Sequence, residues 1–333
     1  MHFEDVKLDF KDVLILPRNT DMQSRCEVSL ERTFQFKYYP NKLTCVPIIA
    51  SNMSTVGTVS MANALAAFKM LTVLHKYVTD FENVSREFTF ISCGITDVER
   101  VRKCIVEHGF DKICIDVANG YMNELTRVIS LFRTEFPHLL IMAGNVVTAE
   151  RSIELIHAGA DIVKCGIGSG SACLTRMKTG VGYPQLSCVM DSCLQIQNAG
   201  GLMVSDGGCS CPADICKAFG AGADFVMLGG MLGCHSESEC EIIDSDSKPK
   251  MAMYGMSSKT AQEKFNGGMN EYRSSEGRSL FLDYRGPVKD TVMDILGGLR
   301  SCGTYIDAKN IDKFKTNANF IRVNQQINNP YDR

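Results

Sequence analysis

Eight short apolar or β-branched runs, spaced roughly 20 to 30 residues apart and separated by stretches of helical periodicity, narrow the fold of this 333-residue chain more than any other feature. They occupy residues 47–52 (PIIASN), 71–75 (LTVLH), 89–94 (TFISCG), 112–117 (KICIDV), 139–146 (LLIMAGNV), 161–166 (DIVKCG), 202–207 (LMVSDG) and 224–229 (DFVMLG). Between them, residues 97–108, 122–136 and 149–158 read as amphipathic helices. Near-continuous apolar strands alternating with helices describe a parallel sheet buried on both faces. Eight such units within about 190 residues fit a closed (β/α)₈ barrel better than an open doubly wound sheet. A helix over residues 289–302 would complete the wall, so residues 1–333 are expected to form one α/β domain.

Loop chemistry points the same way. Gly, Asn, Asp, Ser and His gather where the strands end, in SNMS, HK, DVANG, AGN, GIGSGS, SDGG and LGG. One such loop would pass for an ordinary turn, but in a barrel all of these ends converge on a single rim. Residues 236–285 break the rhythm after the eighth strand with a polar stretch (ESECEIIDSDSKPK) and a Gly-rich run. So long an excursion in a compact domain is expected to be a functional lid.

Composition removes several functions from consideration. A net charge of −3 gives no bias toward nucleic acid or an anionic membrane, so any anionic ligand must be held by local groups. No apolar run reaches the ~18 residues of a membrane span, and the acidic start MHFEDVKLDFKDV has no apolar leader region, so the expected address is cytoplasmic. The 15 cysteines are scattered through apolar segments such as KICID and DIVKCG, which reads as reduced buried thiols rather than a disulfide framework. Cys209 and Cys211 form a C-x-C pair with no second Cys/His pair at zinc spacing.

The sharpest local feature is GIGSGSACLTR, residues 166–176, directly after the sixth run. Glycines at alternate positions permit left-handed backbone and expose peptide groups that can hold a cation or an anion. Cys173 follows them on a polar loop, where a thiol can reach a bound electrophile as the strand cysteines cannot. A phosphate has its own candidates in Asp206-Gly207-Gly208 and Gly229-Gly230, the loops after the seventh and eighth strands, where barrel enzymes commonly bind phosphate on bare amides. The plain alternative is that the paired glycines merely tighten two turns. Asp206 would repel phosphate and is better suited to a ribose diol.

These runs, together with MVSDGGCSCPADICKAFGAGADFVMLGGM, YGMSSKTA and DILGGLRS, resemble the IMP dehydrogenase/GMP reductase family, with similarity extending from LDFKDVLILP to FIRV. The resemblance implies that Cys173 attacks C2 of a purine nucleotide, and that Thr175 works with Glu276 of Ser275-Glu276-Gly277 as a proton relay. It implies nucleotide contacts from Asp206, Gly207, Gly208, Gly229, Gly230, Gly255, Met256, Ser257, Arg273 and Gly277. Cofactor contacts would come from Lys76, Asp116, Val117, Ala118, Met256, Tyr272 and Arg273. Ser24 and Arg25, with Ser301, Cys302, Gly303 and Thr304, would reach a cofactor held by a neighbouring subunit of a homotetramer. Gly168 and Gly170, with Cys173, would bind a monovalent cation such as K⁺. Singly, each has a plain reading: Asp116 can cap the loop that follows, Lys76 can be a solvated strand end, and Glu276 can be surface charge.

Two observations favour the reductive branch of the family. Only residues 77–87 separate the second and third runs, leaving no room for the regulatory modules that dehydrogenase-like chains insert there. Tyr272-Arg273 stands in YRSSEG, the reductive order, with no Arg-Tyr pair to activate water for hydrolysis of a covalent intermediate. The expected reaction is GMP with NADPH giving IMP, ammonia and NADP⁺. The alternatives are oxidation of IMP to XMP with NAD, and a non-catalytic purine nucleotide sensor that would bind GMP without turnover. The chain departs from the family pattern at Ser54, Ser169, Leu174 and Cys302-Gly303, and none of these removes a member of the proposed catalytic set.

Overall fold

The computed structural model describes residues 6–243, 249–268 and 274–324. Eight parallel strands close into a barrel: β1 (Ile48–Ala50), β2 (Leu71–Leu74), β3 (Thr89–Cys93), β4 (Lys112–Asp116), β5 (Leu140–Val146), β6 (Ile162–Cys165), β7 (Leu202–Asp206) and β8 (Phe225–Leu228). Each lies inside its expected run, shorter by one to three residues: the C-terminal ends of most runs pass into the rim loops, and Pro47, Leu139, Asp161 and Asp224 fall outside the strands at the other end. The helices of the wall are α1 (Val59–Ala66), α2 (Val98–His108), α3 (Asn123–Glu135), α4 (Ala149–Ala158), α5 (Gln185–Asn198), α6 (Pro212–Ala221) and α7 (Val288–Tyr305). The β2 to β3 connection departs from the repeat, since it carries only a 3₁₀ turn at Arg86–Phe88.

Alternation along the strands divides the apolar side chains into two layers. One layer lies between sheet and helices. The other fills the barrel itself, where Ile49, Val73, Phe90, Cys114, Met142, Ile162, Val204 and Phe225 pack together with the hairpin formed by Arg32–Phe34 and Leu43–Cys45. Phe34 stacks on Phe225 with ring centroids 4.2 Å apart, so the hairpin closes the N-terminal end of the barrel.

Two fully buried carboxylates tie that hairpin down. Asp161 accepts from the amides of Tyr38 (2.8 Å), Tyr39 (3.1 Å) and Ile141 (3.1 Å) and from the Arg133 guanidinium (2.8 Å). Asp224 accepts from Arg32 at 2.9 Å and from the Met203 amide at 3.0 Å. With one end plugged, ligand access is left to the opposite, C-terminal rim.

After β8 the chain leaves the barrel, and this excursion is built rather than irregular. Strands Lys250–Tyr254 (β9) and Ser279–Asp283 (β10) pair antiparallel, and Lys259–Asn266 (α8) sits between them with Ser258 Oγ accepting from the Ala261 amide at 3.2 Å. Tyr77, on the loop after β2, stacks on Phe265 of α8 with centroids 4.0 Å apart and planes 6° from parallel, holding this flap over the rim.

Candidate active site

A cavity of about 630 Å³ opens at the C-terminal rim beneath the flap, within the ordinary range for small-molecule sites. The loop after β6 forms one wall. Gly166 (φ +152°) and Gly168 (φ +83°) take backbone conformations reserved for glycine, and a β-carbon on Gly166 would sit 2.1 Å from the Asp206 carbonyl oxygen. Gly170 needs neither the conformation nor the space, so only two of the three alternate glycines serve the backbone. The Gly170 carbonyl accepts from the Cys173 amide at 3.0 Å.

Cys173 then pairs with Gly277 of the flap as an antiparallel bridge, flanked by Leu174 N to Glu276 O (2.6 Å) and Arg278 N to Ala172 O (3.0 Å). This pairing brings together residues 101 apart in sequence: the half-buried Cys173 thiol donates to Thr175 Oγ1 at 3.3 Å, and Thr175 Oγ1 donates to Glu276 Oε2 at 2.7 Å. Thiol, hydroxyl and carboxylate therefore form a continuous path for a proton. Burial pushes the strand thiols of Cys93, Cys114 and Cys165 each up to about 12 and keeps them protonated.

The floor of the cavity was not anticipated. Lys164 of β6, almost wholly buried, places its ammonium 3.0 Å from Asp116 on β4 and 3.3 Å from Asp206 on β7. Burial works to lower the Lys164 pKa, but the two carboxylates outweigh it and the net shift is upward, so the ammonium stays charged. Asn52 donates to the other oxygen of Asp116 at 2.6 Å. Asn145, beside a bulge in β5, donates to Asp206 and to the Gly166 carbonyl, each at 2.8 Å. The buried Gln185 donates to the Cys165 carbonyl at 2.8 Å and lies 2.8 Å from Ser169 Oγ. A lysine within the otherwise apolar strand IVKC was the sequence signal for this network, because a buried lysine requires acidic partners.

The turns expected to hold phosphate lie beside the nucleophile loop: a β-carbon on Gly207 would meet Ser169 Oγ at 2.6 Å, and one on Gly230 would meet Ser171 Oγ at 2.7 Å. Gly207 (φ +93°) and Gly208 (φ +84°) are consecutive left-handed residues just before α6, and Gly229 and Gly230 open a 3₁₀ turn after β8. Such turns point bare amides at a ligand. Asp116, Val117 and Ala118, with Lys76, line the far side, and Gly255, Met256 and Ser257 line the flap side. Among the described residues, buried Asn145 Oδ1 and Ser51 Oγ have no hydrogen-bond partner although both residues line the cavity, which suits a ligand bearing donors.

Ser24 and Arg25 are exposed and line no part of this cavity; their turn packs against α7 near Ser301, Cys302, Gly303 and Thr304. The two segments therefore make one patch on the outside of the barrel. Gly303 is fixed by packing, since a β-carbon there would lie 2.7 Å from Val28. Tyr272 and Arg273 lie outside the described residues.

A plugged (β/α)₈ barrel whose open rim carries a thiol, hydroxyl and carboxylate in series beside glycine turns has the architecture of a barrel enzyme. The family model for the IMP dehydrogenase / GMP reductase domain matches residues 7–89 and 89–327, and the chain belongs to that family. It is 47% identical to a GMP reductase of Aeromonas hydrophila, with 99% of each chain covered. It is 48% identical to GMP reductase 2 of Mus musculus, covering 97% of this chain and 96% of that one. An Escherichia coli GMP reductase is likewise 48% identical, over 98% of this chain and 97% of its own.

Proposed function

We propose that this chain is an NADPH-dependent oxidoreductase that converts GMP to IMP with release of ammonia. The observation that carries the reading is the Cys173, Thr175 and Glu276 chain at the mouth of a glycine-lined cavity, in a protein nearly half identical along its whole length to GMP reductases.

In the mechanism these residues support, the Cys173 proton passes through the Thr175 hydroxyl to Glu276, and the thiolate adds to C2 of the guanine ring. The same path in reverse protonates the exocyclic amine, which leaves as ammonia and gives a thioimidate on Cys173. NADPH, when bound, supplies the hydride that C2 receives. The carbon–sulfur bond then breaks, the thiolate returns to Cys173, and IMP is left. Cys173 splits one difficult substitution into two steps; Thr175 and Glu276 hold the thiol proton until it leaves with ammonia, and the thiolate freed at the end takes a proton from solvent to restore the thiol.

The nucleotide is held by Asp206, Gly207, Gly208, Gly229, Gly230, Gly255, Met256, Ser257 and Gly277, joined by Arg273. The glycine amides take the phosphate and Asp206 takes the ribose diol. Lys76, Asp116, Val117, Ala118 and Met256, with Tyr272 and Arg273, hold the cofactor. Residues 1–333 act as one catalytic unit with 236–285 as its lid. The carbonyls of Gly168 and Gly170 beside Cys173 would hold a monovalent cation such as K⁺; the Gly170 carbonyl keeps a lone pair beyond the one used by the Cys173 amide. The enzyme works as a cytoplasmic homotetramer in which Ser24, Arg25 and Ser301 to Thr304 serve a neighbour's cofactor. Their position outside this chain's own cavity supports that arrangement.

The test is a steady-state assay with GMP and NADPH or NADH side by side. NADPH absorbance should fall while ammonia appears in equal amount, and Cys173→Ala should lose turnover and any covalent adduct while still binding GMP. NADH formation from IMP, or an active Cys173→Ala enzyme, would overturn the reading.

A further inference from the structure

Two thiols outside the cavity face one another across neighbouring helices of the wall. Cys216 lies on α6 and Cys302 on α7, two helices packed against each other. The helix packing explains the meeting. One turn earlier on each helix, Pro212 rests on Gly298, so closely that a β-carbon on Gly298 would fall 2.7 Å from that of Pro212. That is tighter than the about 3.8 Å between β-carbons that a disulfide spans. Both helices run in the same direction around the barrel, so advancing each by four residues brings Cys216 opposite Cys302 on the next rung of the same contact. Cys216 Sγ also lies 4.0 Å from the Gly298 carbonyl. Cys216 is 4% exposed and Cys302 is half-buried, giving one accessible and one sheltered sulfur.

We propose that Cys216 and Cys302 are a reversible dithiol–disulfide site, oxidised by a low-molecular-weight disulfide. The accessible Cys302 thiolate attacks a sulfur of the small disulfide, forming a mixed disulfide and expelling one thiolate. Cys216 then attacks the Cys302 sulfur, forming the protein disulfide and expelling the second. Two protein thiols are oxidised, one small disulfide is reduced to two thiols, and the two protons pass to those products. The environment suits this order: the neighbouring Cys216 thiol lowers the Cys302 pKa, and Cys302, with burial, raises that of Cys216. The bond would link α6, which begins just beyond Gly207 and Gly208, to the Ser301 to Thr304 segment of α7. The proposal does not depend on which substrate the cavity takes; because Cys302 belongs to the segment proposed to serve a neighbour's cofactor, the experiment is run without NADPH.

The experiment incubates the full-length folded protein with oxidised glutathione, traps free thiols with an alkylating agent, and maps the linkages by peptide mass spectrometry. The expected result is a Cys216 to Cys302 crosslink that dithiothreitol reverses and that is absent in Cys302→Ser. The wild-type map decides the matter even if that variant folds poorly. The proposal is overturned if both cysteines remain alkylatable under conditions that glutathionylate exposed Cys26 and Cys211, or if Cys216 links elsewhere.

Discussion

Replacing Thr175 by alanine tests the proposed chemistry most directly. The hydroxyl is the middle of a three-atom path, 3.3 Å from Cys173 Sγ and 2.7 Å from Glu276 Oε2, and both neighbours are fixed by main-chain pairing between the catalytic loop and the flap. Removing it leaves thiol and carboxylate in place but unconnected. Loss of a positioned acid–base group lowers rates by about 10² to 10⁴, equivalent to about 2.7 to 5.5 kcal/mol in the barrier. The loss should fall on kcat rather than on GMP affinity, because the proton moves only as C2 changes its bonding. The assay is single-turnover release of ammonia from GMP, with GMP binding measured separately by calorimetry. Thr175→Ser keeps an oxygen at the same distance and should retain most of the activity. A Thr175→Ala enzyme within about threefold of wild type in kcat would refute the relay.

Three further outcomes follow from the geometry. Asp161→Ala strips a buried carboxylate from three amides and the Arg133 guanidinium, and urea unfolding should show a loss of about 3 to 5 kcal/mol; a loss below about 1 kcal/mol would contradict the clamp. His75, whose Nδ1 accepts from the Tyr77 amide at 3.2 Å, is lowered from 6.5 to about 4 by burial, aided by the charges of Lys264 and Arg100. Because the unfolded chain binds that proton more readily, stability is full above pH 6.5 and falls as pH drops toward 4, by about 3 kcal/mol at most. His75→Gln should flatten that part of the stability profile, and an unchanged acid slope would count against it. In Gly166→Ala the new β-carbon would meet the Asp206 carbonyl at 2.1 Å, so kcat should fall about 100-fold through displacement of the Cys173 loop, with far-ultraviolet circular dichroism retained; wild-type kcat would show that the loop tolerates the shift.

The barrel was readable because its signal repeats. Eight buried strands each demand an apolar run, and four-residue strands such as LTVL and FVML leave little else in the pattern. The missing helix between β2 and β3 was visible only as a short spacing. The flap's strands escaped notice because β10 is only partly buried, so its sequence lacks a clear core face.

The site divides along the same line. Glycines at Gly166, Gly168, Gly207 and Gly208 can be read from sequence, since no other residue adopts those backbones without strain. Cys173 and Thr175 are neighbours on one loop and announce themselves together. The pairing of Cys173 with Gly277, which delivers Glu276, depends on the flap folding back across the rim, and no local propensity encodes it. Lys164 could be suspected from its apolar surroundings, yet its partners Asp116 and Asp206 come from strands on opposite sides of β6. Local chemistry thus wrote the strands, turns and nucleophile loop into the sequence. Closure of the barrel decided which distant charges meet, because electrostatic and hydrogen-bond contacts act over a few ångströms of space whatever their separation along the chain.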